Sequence, residues 1–218
     1  MLSVVIPTLN AAATLRPCLE ALGSVPDLVV VDGGSRDATP DIARSWGARV
    51  VESPRGRGTQ LAAGSQAARE GWMLFLHADT RLAYRWRGAA KAHIADRPDK
   101  AGCFRFALDD SAWQARVIEK GVALRVRLLA LPYGDQGLLI HRGLYDAVGG
   151  FRPLPLMEDV DLVQRIGRKR LAALPAAALT SAERWRRDGW ARRSARNLLC
   201  LGLHRLGMSA DKVAQLYG

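Results

Sequence analysis

Residues 28–40 read LVVVDGGSRDATP. Four apolar residues, three of them β-branched, run unbroken from Leu28 to Val31 and stop at Asp32, where Gly33 and Gly34 let the chain turn. An unbroken apolar run of that length reads as a strand covered on both faces. Asp37, Thr39 and Pro40 then carry the chemistry of a helix start, with the helix running to about Trp46. Strand, glycine turn and helix form the unit of a parallel sheet flanked by helices. Ligands of such sheets gather at the carboxyl ends of the strands.

The same grammar extends both ways. Upstream, Leu2–Ile6 reads as a buried strand ended by Pro7, followed by a helix over Ala11–Leu22. Downstream come a strand at Arg49–Glu52, a helix over Gln60–Glu70 and a fourth buried strand at Trp72–Leu76. Asp32 and Asp79 therefore fall at or just past strand ends. The second half is less regular: helices at Tyr84–Ala95 and Ala112–Leu129, strands at Ala101–Leu108 and Gly137–His141, a Gly/Pro loop at Gly149–Pro155 and a helix over Glu158–Arg168. Gly189–Met208 reads as a basic helix and Ser209–Leu216 as a short last one. The expectation is an α/β chain with a mainly parallel central sheet, helices on both faces and C-terminal basic helices. Residues 1–180 form the main domain, and 181–218 a basic helical extension packed on it.

Composition narrows the partners. The chain has 218 residues, about half of them hydrophobic, enough for one sizeable core and too apolar for a disordered polyelectrolyte. No stretch reaches the ~20 apolar residues of a membrane span, and the start lacks the basic region of a signal peptide. Cys18, Cys103 and Cys200 are too scattered for a disulfide framework or zinc site, which fits a cytoplasmic location. The formal charge is +11, and residues 165–218 carry 12 Lys+Arg against 3 Asp+Glu. A basic end of this kind suits nucleic acid, an anionic membrane or a phosphorylated substrate.

Three constellations carry chemistry. The first joins Ile6-Pro7-Thr8-Leu9-Asn10 to the Asp32–Thr39 turn, each following a strand. No G-x-G-x-x-G follows the first strand, so a dinucleotide fingerprint is absent. The second is Phe75-Leu76-His77-Ala78-Asp79-Thr80, in which His77 and Asp79 leave a buried strand on one face. Asp79 suits a hard cation such as Mg²⁺ or Mn²⁺ that also takes phosphate oxygens. The third is Met157-Glu158-Asp159-Val160-Asp161, whose crowded carboxylates open a helix. Mutual repulsion raises some of their pKa values, which suits a general base. Each also has a plainer reading, as a strand–turn–helix junction, a chance histidine beside a cap, or a favourable helix N-terminus.

Taken together and in order, these segments resemble the family-2 inverting glycosyltransferases of GT-A fold, over roughly residues 2–165. More narrowly, Gly56-Arg57-Gly58-x-Gln60, Leu-His-Ala-Asp-Thr, Tyr133-Gly134-Asp135-Gln136-Gly137 and Met-Glu-Asp-Val are similar to a bacterial subgroup associated with arsenosugar biosynthesis. The resemblance implies a Rossmann-like nucleotide-binding half and a nucleoside-diphosphate-sugar donor, commonly a UDP-sugar. Pro7, Thr8, Asn10, Asp32 and Gly34 would line the nucleotide pocket, with Asp32 reading the base. Asp79 would hold Mn²⁺ or Mg²⁺ on the diphosphate with His77 beside it, and Arg57 and Gln60 would contact the donor. Asp159 would be the catalytic base with Glu158 alongside. Asp135, Gln136, Arg184 and Trp185 would lie near the transferred sugar or the acceptor, a small molecule or a lipid-linked one.

The sequence departs from the family pattern at Ala11, Gly33 and His77, three places where acids are usual. A nucleotidyltransferase would carry a Gly-rich basic loop after its first strand, and Pro7–Ala13 has neither feature. A non-catalytic sugar-nucleotide binder would have no need of both Asp79 and Asp159. For the basic end, with Trp190, Leu198, Leu201 and Leu206 among Arg192, Arg193, Arg196 and Arg205, three readings stay open. They are a helix packed on the domain, an interfacial helix on an anionic membrane, and a homodimer contact. Nucleic acid is not expected, since no recognised binding fold accompanies the charge.

Overall fold

A computed structural model describes residues 1–217 of the chain. Its first half follows the sequence closely. Strands β1 (Leu2–Thr8), β2 (Asp27–Asp32), β3 (Arg49–Glu52) and β4 (Trp72–Phe75) alternate with helices α1 (Ala12–Leu22), α2 (Thr39–Ser45) and α3 (Arg57–Ala67). Strands β3, β2, β1 and β4 lie side by side in that order, all parallel. Alternate strand residues feed two cores. Val4, Ile6, Val30 and Leu74 pack with Leu15, Leu19 and Leu22 of α1, whereas Val5, Val29, Val31 and Phe75 pack with Leu61 of α3. Burial on both faces is why these strands read as unbroken apolar runs.

Pro7 does not end β1, which runs on to Thr8. The Val5 carbonyl accepts from Leu76 N–H at 3.0 Å, so Val5 and, two residues on, Pro7 face β4. That strand stops at Phe75, so the N–H missing from Pro7 costs no ladder bond.

The second half comprises β5 (Thr80–Leu82), α4 (Trp86–Asp96), β6 (Ala101–Asp109), α5 (Trp113–Leu129), β7 (Leu138–His141), α6 (Arg142–Ala147), α7 (Glu158–Ile166), β8 (Leu171–Ser181), α8 (Glu183–Asp188), α9 (Trp190–Arg205) and α10 (Ala210–Tyr217). Among the described residues the eight strands form one sheet of order β3-β2-β1-β4-β7-β6-β8-β5. β7 pairs antiparallel with β4 and β6, and β5 antiparallel with β8, so parallel pairing dominates only the first half. The eleven-residue β8 was not expected, because LAALPAAALTS is alanine-rich and contains a proline. Its register against β6 jumps between Phe104–Leu174 and Arg105–Ala177, so Pro175 falls in the irregularity and interrupts no ladder bond. The C-terminal helices bury Cys200, Leu201 and Val213 against Leu131, Val160 and Val163. Among the described residues no helix is long and apolar enough to cross a membrane, and the three cysteines are free and buried.

Candidate functional site

A cleft of about 110 Å³ opens where β4, β5, β8 and α7–α9 converge, and a more open depression of about 500 Å³ lies beside the ends of β2 and β3. The cleft is lined by Arg57, His77, Asp79, Tyr133, Asp135, Asp159, Arg184 and Trp185, together with Thr180, Ser181, Arg193 and Asn197. Seven of the expected site residues therefore meet although they come from separate elements. The depression is lined by Asp32, Gly34, Ser35, Pro40, Arg44 and Glu52.

Asp159 stands in the first turn of α7, which the helix dipole favours. Its Oδ2 accepts the Gly134 N–H at 2.6 Å and its Oδ1 the Val160 N–H at 2.7 Å, so the carboxylate is held from both sides. Gly134 begins a 3₁₀ turn over Gly134–Gln136, and the His77 ring packs where its side chain would stand. His77 is half-buried, and burial, reinforced by the Arg57 guanidinium, lowers its pKa to about 4 despite the neighbouring carboxylates. The ring is therefore neutral near pH 7.

Glu158, expected beside the base in the cleft, is fully buried behind it. Its Oε1 lies 3.2 Å from Arg57 Nε, and neither oxygen has a hydrogen-bond donor. Burial raises its pKa to about 7, against the opposing pull of Arg57. Glu158 thus lies beside a guanidinium that faces the cleft and does not itself line the cleft. Asp135 differs. It lines the cleft, its Oδ1 has no hydrogen-bond partner, and burial lifts its pKa to about 7 over the opposing Arg125 charge.

Asp79 Oδ1 is likewise buried and without a partner, while Oδ2 is 3.8 Å from Arg184 Nη2. Among the described residues no cluster of three or more His, Cys, Asp or Glu side chains could hold a metal by itself. The donor set does suit a hard cation bound by one or two carboxylates and completed by phosphate oxygens and water. The orphaned oxygens of Asp79 and Asp135 are the two carboxylate atoms in the cleft that fit that role.

Several of the expected site residues are engaged in hydrogen bonds within the chain. Gln60 is buried, and its amide donates to the carbonyls of Thr8 and Val31, both at 2.8 Å, stapling the ends of β1 and β2. A Cβ at Gly33 would sit 3.1 Å from that amide, so any larger residue there requires Gln60 to give by a few tenths of an ångström. Gln136 is buried and donates to the Phe104 carbonyl at 2.9 Å, away from the cleft. Pro7 and Thr8 are buried, and Thr8 Oγ1 donates to Asp32 Oδ1 at 3.0 Å. Asp32 also accepts from Ser35 N–H at 2.8 Å, Ser35 Oγ at 2.5 Å and Gly34 N–H at 3.1 Å. Burial opposes its ionisation, yet these bonds hold its pKa below the ordinary range. Its oxygens organise the loop at the depression. Asn10, with left-handed φ 49, accepts Arg36 N–H at 2.9 Å and fixes the same loop from β1.

Arg184 and Trp185, on α8, do reach the cleft. Trp185 is buried against Phe106 with its Nε1 unpartnered. Thr180, Ser181, Arg193 and Asn197 also line the cleft without a sequence signal, because alanine-rich β8 does not read as a strand and nothing local in α9 marks Arg193 or Asn197 as inward-facing. Tyr133, at the head of the Tyr-Gly-Asp-Gln-Gly motif, is a further wall of the cleft.

Residues 3–154 match the family model for glycosyl transferase family 2. Glycosyltransferases of PGL/p-HBAD biosynthesis from Mycobacterium bovis and Mycobacterium tuberculosis are 39% identical, over 38% of this chain and 36% of theirs. The chain thus spans about a third of the length of those relatives. Staphylococcus aureus TarS (residues 1–349) superposes with TM-score 0.64 at 16% identity, covering 99% of this chain and 69% of that one. Glucosyl-3-phosphoglycerate synthase from Mycobacterium tuberculosis, in complex with Mn²⁺, UDP and glucosyl-3-phosphoglycerate, superposes with TM-score 0.58 at 21% identity, covering 83% and 70%. At such identities the likeness speaks for the fold, a mixed α/β sheet of GT-A type. The family match spans well over half of the residues, from β1 to the loop before α7, and on that ground the chain belongs to glycosyl transferase family 2.

Proposed function

We propose that this chain moves a sugar from a nucleoside-diphosphate donor to an acceptor hydroxyl with inversion, using Asp159 as general base. The observation that supports this most is the convergence of Asp79, Asp135, Asp159, Arg57 and Arg184 on one cleft, with Asp159 held by two backbone N–H groups. Each Asp159 oxygen keeps a lone pair beyond its backbone bond, so the held carboxylate can still take a proton. In the transfer, the acceptor oxygen bonds to the anomeric carbon as the carbon–phosphate-oxygen bond breaks on the opposite face. The hydroxyl proton passes to Asp159 and the nucleoside diphosphate leaves.

Arg57, steadied by Glu158, and Arg184 present guanidinium groups to the leaving diphosphate. Mn²⁺ or Mg²⁺ held by Asp79, with Asp135 in reach of the same cleft, supplies further charge neutralisation when bound. The base of the donor belongs in the depression beside Asp32, Gly34 and Ser35. A uracil base is the reading there, with Asp32 acting through the loop it organises. The arsenosugar-associated subgroup is the narrower kinship that the Gly-Arg-Gly-x-Gln and Tyr-Gly-Asp-Gln-Gly motifs suggest.

A panel of UDP-, GDP-, ADP- and dTDP-sugars with Mn²⁺ tests the proposal by thermal shift and by release of nucleoside diphosphate. A ligand that binds the native state alone must raise the melting temperature. Absence of both a shift and release across the panel refutes the donor assignment.

A further inference from the structure

We infer that α5 seats this protein on an anionic lipid surface through its outward face. The helix packs inward through Ala115, Ile118 and Val122 against Phe106 and Leu108 of β6. On the opposite side Trp113, Val117, Leu124 and Leu128 are 71%, 56%, 55% and 59% exposed. At 100° per residue these four fall within about 60° of the helix circumference, and Gly121 completes the row. Scattered exposed apolar residues are ordinary, but a continuous stripe along a 17-residue helix marks an interaction surface.

Charge selects the partner. The stripe is bordered along one side by exposed Lys120 and Arg127, with Arg116 beyond. Arg168 adds a further guanidinium at the end of the helix, donating to the Arg127 and Leu128 carbonyls at 3.0 and 3.1 Å. The one acid of α5, Glu119, turns inward, where it accepts Leu108 N–H at 2.8 Å and pairs with Arg116 at 2.8 Å. An apolar row with cations alone at its rim complements anionic headgroups over acyl chains. A second copy docked face to face with its α5 antiparallel would oppose cation to cation, so the charge that favours lipid disfavours that two-fold dimer.

The basic helix α9 is the weaker candidate. It buries Cys200 and Leu201, and Trp190 packs toward α5. Within the helix its large exposed apolar side chains are Leu198 and Leu199, about 100° apart, against the four of α5 in one row. On α5, by contrast, the Arg125 guanidinium lies 3.5 Å from the ring centre of Tyr133, a wall of the cleft. A membrane-seated α5 therefore holds the cleft close to the bilayer surface, where a lipid-linked acceptor would present its hydroxyl.

The test is co-sedimentation of the full chain with vesicles of phosphatidylcholine alone and of phosphatidylcholine with phosphatidylglycerol at about 30 mol%. The expected result is binding at least about ten-fold stronger to the anionic vesicles, released by high salt. L124E/L128E removes the stripe, and K120E/R127E removes the rim while leaving every apolar side chain in place. Each is expected to lose about ten-fold in binding with an unchanged circular dichroism spectrum. No binding to anionic vesicles, or full binding by both variants, overturns the proposal. So does a wild-type dimer that L124E/L128E converts to monomer. None of these readouts depends on sugar transfer, so a failure here and a failure of the donor assignment are told apart.

Discussion

Replacing Gly134 by alanine should uncouple binding from catalysis. The φ of Gly134 is not in the left-handed region, so alanine is tolerated by the backbone there. What forbids the methyl group is its surroundings. A Cβ at this position lands on Nε2 of His77, with Cε1 at 2.9 Å and Asp159 Oδ2 at 3.4 Å. To restore ordinary contact the imidazole or the 3₁₀ turn must retreat by about 1 Å. Either movement disturbs the 2.6 Å bond from Gly134 N–H to Asp159.

Overpacking of this size costs about 1–3 kcal/mol of stability. A displacement of about 1 Å at a reacting group costs on the order of 10²-fold in rate. The depression near Asp32 is built from other elements and should not feel the change. G134A is therefore expected to bind the nucleoside alone, which needs only that depression, within about three-fold of wild type by calorimetry, while turnover falls about 100-fold. Gly88, in α4, is the control, because a Cβ there meets nothing within 4 Å. G88A should gain about 0.5–1 kcal/mol in denaturant unfolding and keep full activity. Wild-type turnover in G134A would refute both the packing argument and the role given to Asp159.

Three further outcomes follow from the cleft. Asp159→Asn should cost about 10²–10⁴-fold in transfer and leave nucleotide affinity nearly unchanged, read by product release beside calorimetry. Asp79→Ala should abolish the Mn²⁺ dependence of nucleotide binding, and equal affinities with and without Mn²⁺ in the wild type would contradict the assignment. Asp135 has its pKa raised to about 7 in the folded state by burial, against about 3.8 unfolded. The native state therefore holds the extra proton between those values. The stability it confers is fully present below about pH 4 and is lost as the pH rises to about 7. Asp135→Asn should thus flatten the stability profile between pH 5 and 7.5 by several kcal/mol at most, measured by urea unfolding of variant and wild type side by side. Parallel profiles would show that Asp135 is not desolvated as described.

The first half of the chain was legible because local and global signals agree there. β2 ends at Asp32 and β4 delivers His77 and Asp79, as the apolar runs of the sequence predict. Short apolar strands, glycine turns and helix caps are written in adjacent residues, and a strand buried on both faces cannot conceal its composition. The acids of α7 were visible for the same reason, three of them opening one helix. β8 was illegible because its pairing with β6 and β5, and not its composition, makes it a strand.

The sequence by itself determined the family pattern, the parallel half-sheet and the identity of most chemically able residues. Tertiary structure alone decided how they divide. It sent Glu158, Gln60 and Gln136 inward as supports and left Asp79, Asp135 and Asp159 in one cleft. It also brought Arg193 and Asn197 to that cleft from a helix read only as basic. Adjacent carboxylates on a helix start look alike in sequence, yet successive residues turn about 100° apart. One faces the core while its neighbour faces the cleft, and only the packing of α7 against its surroundings says which.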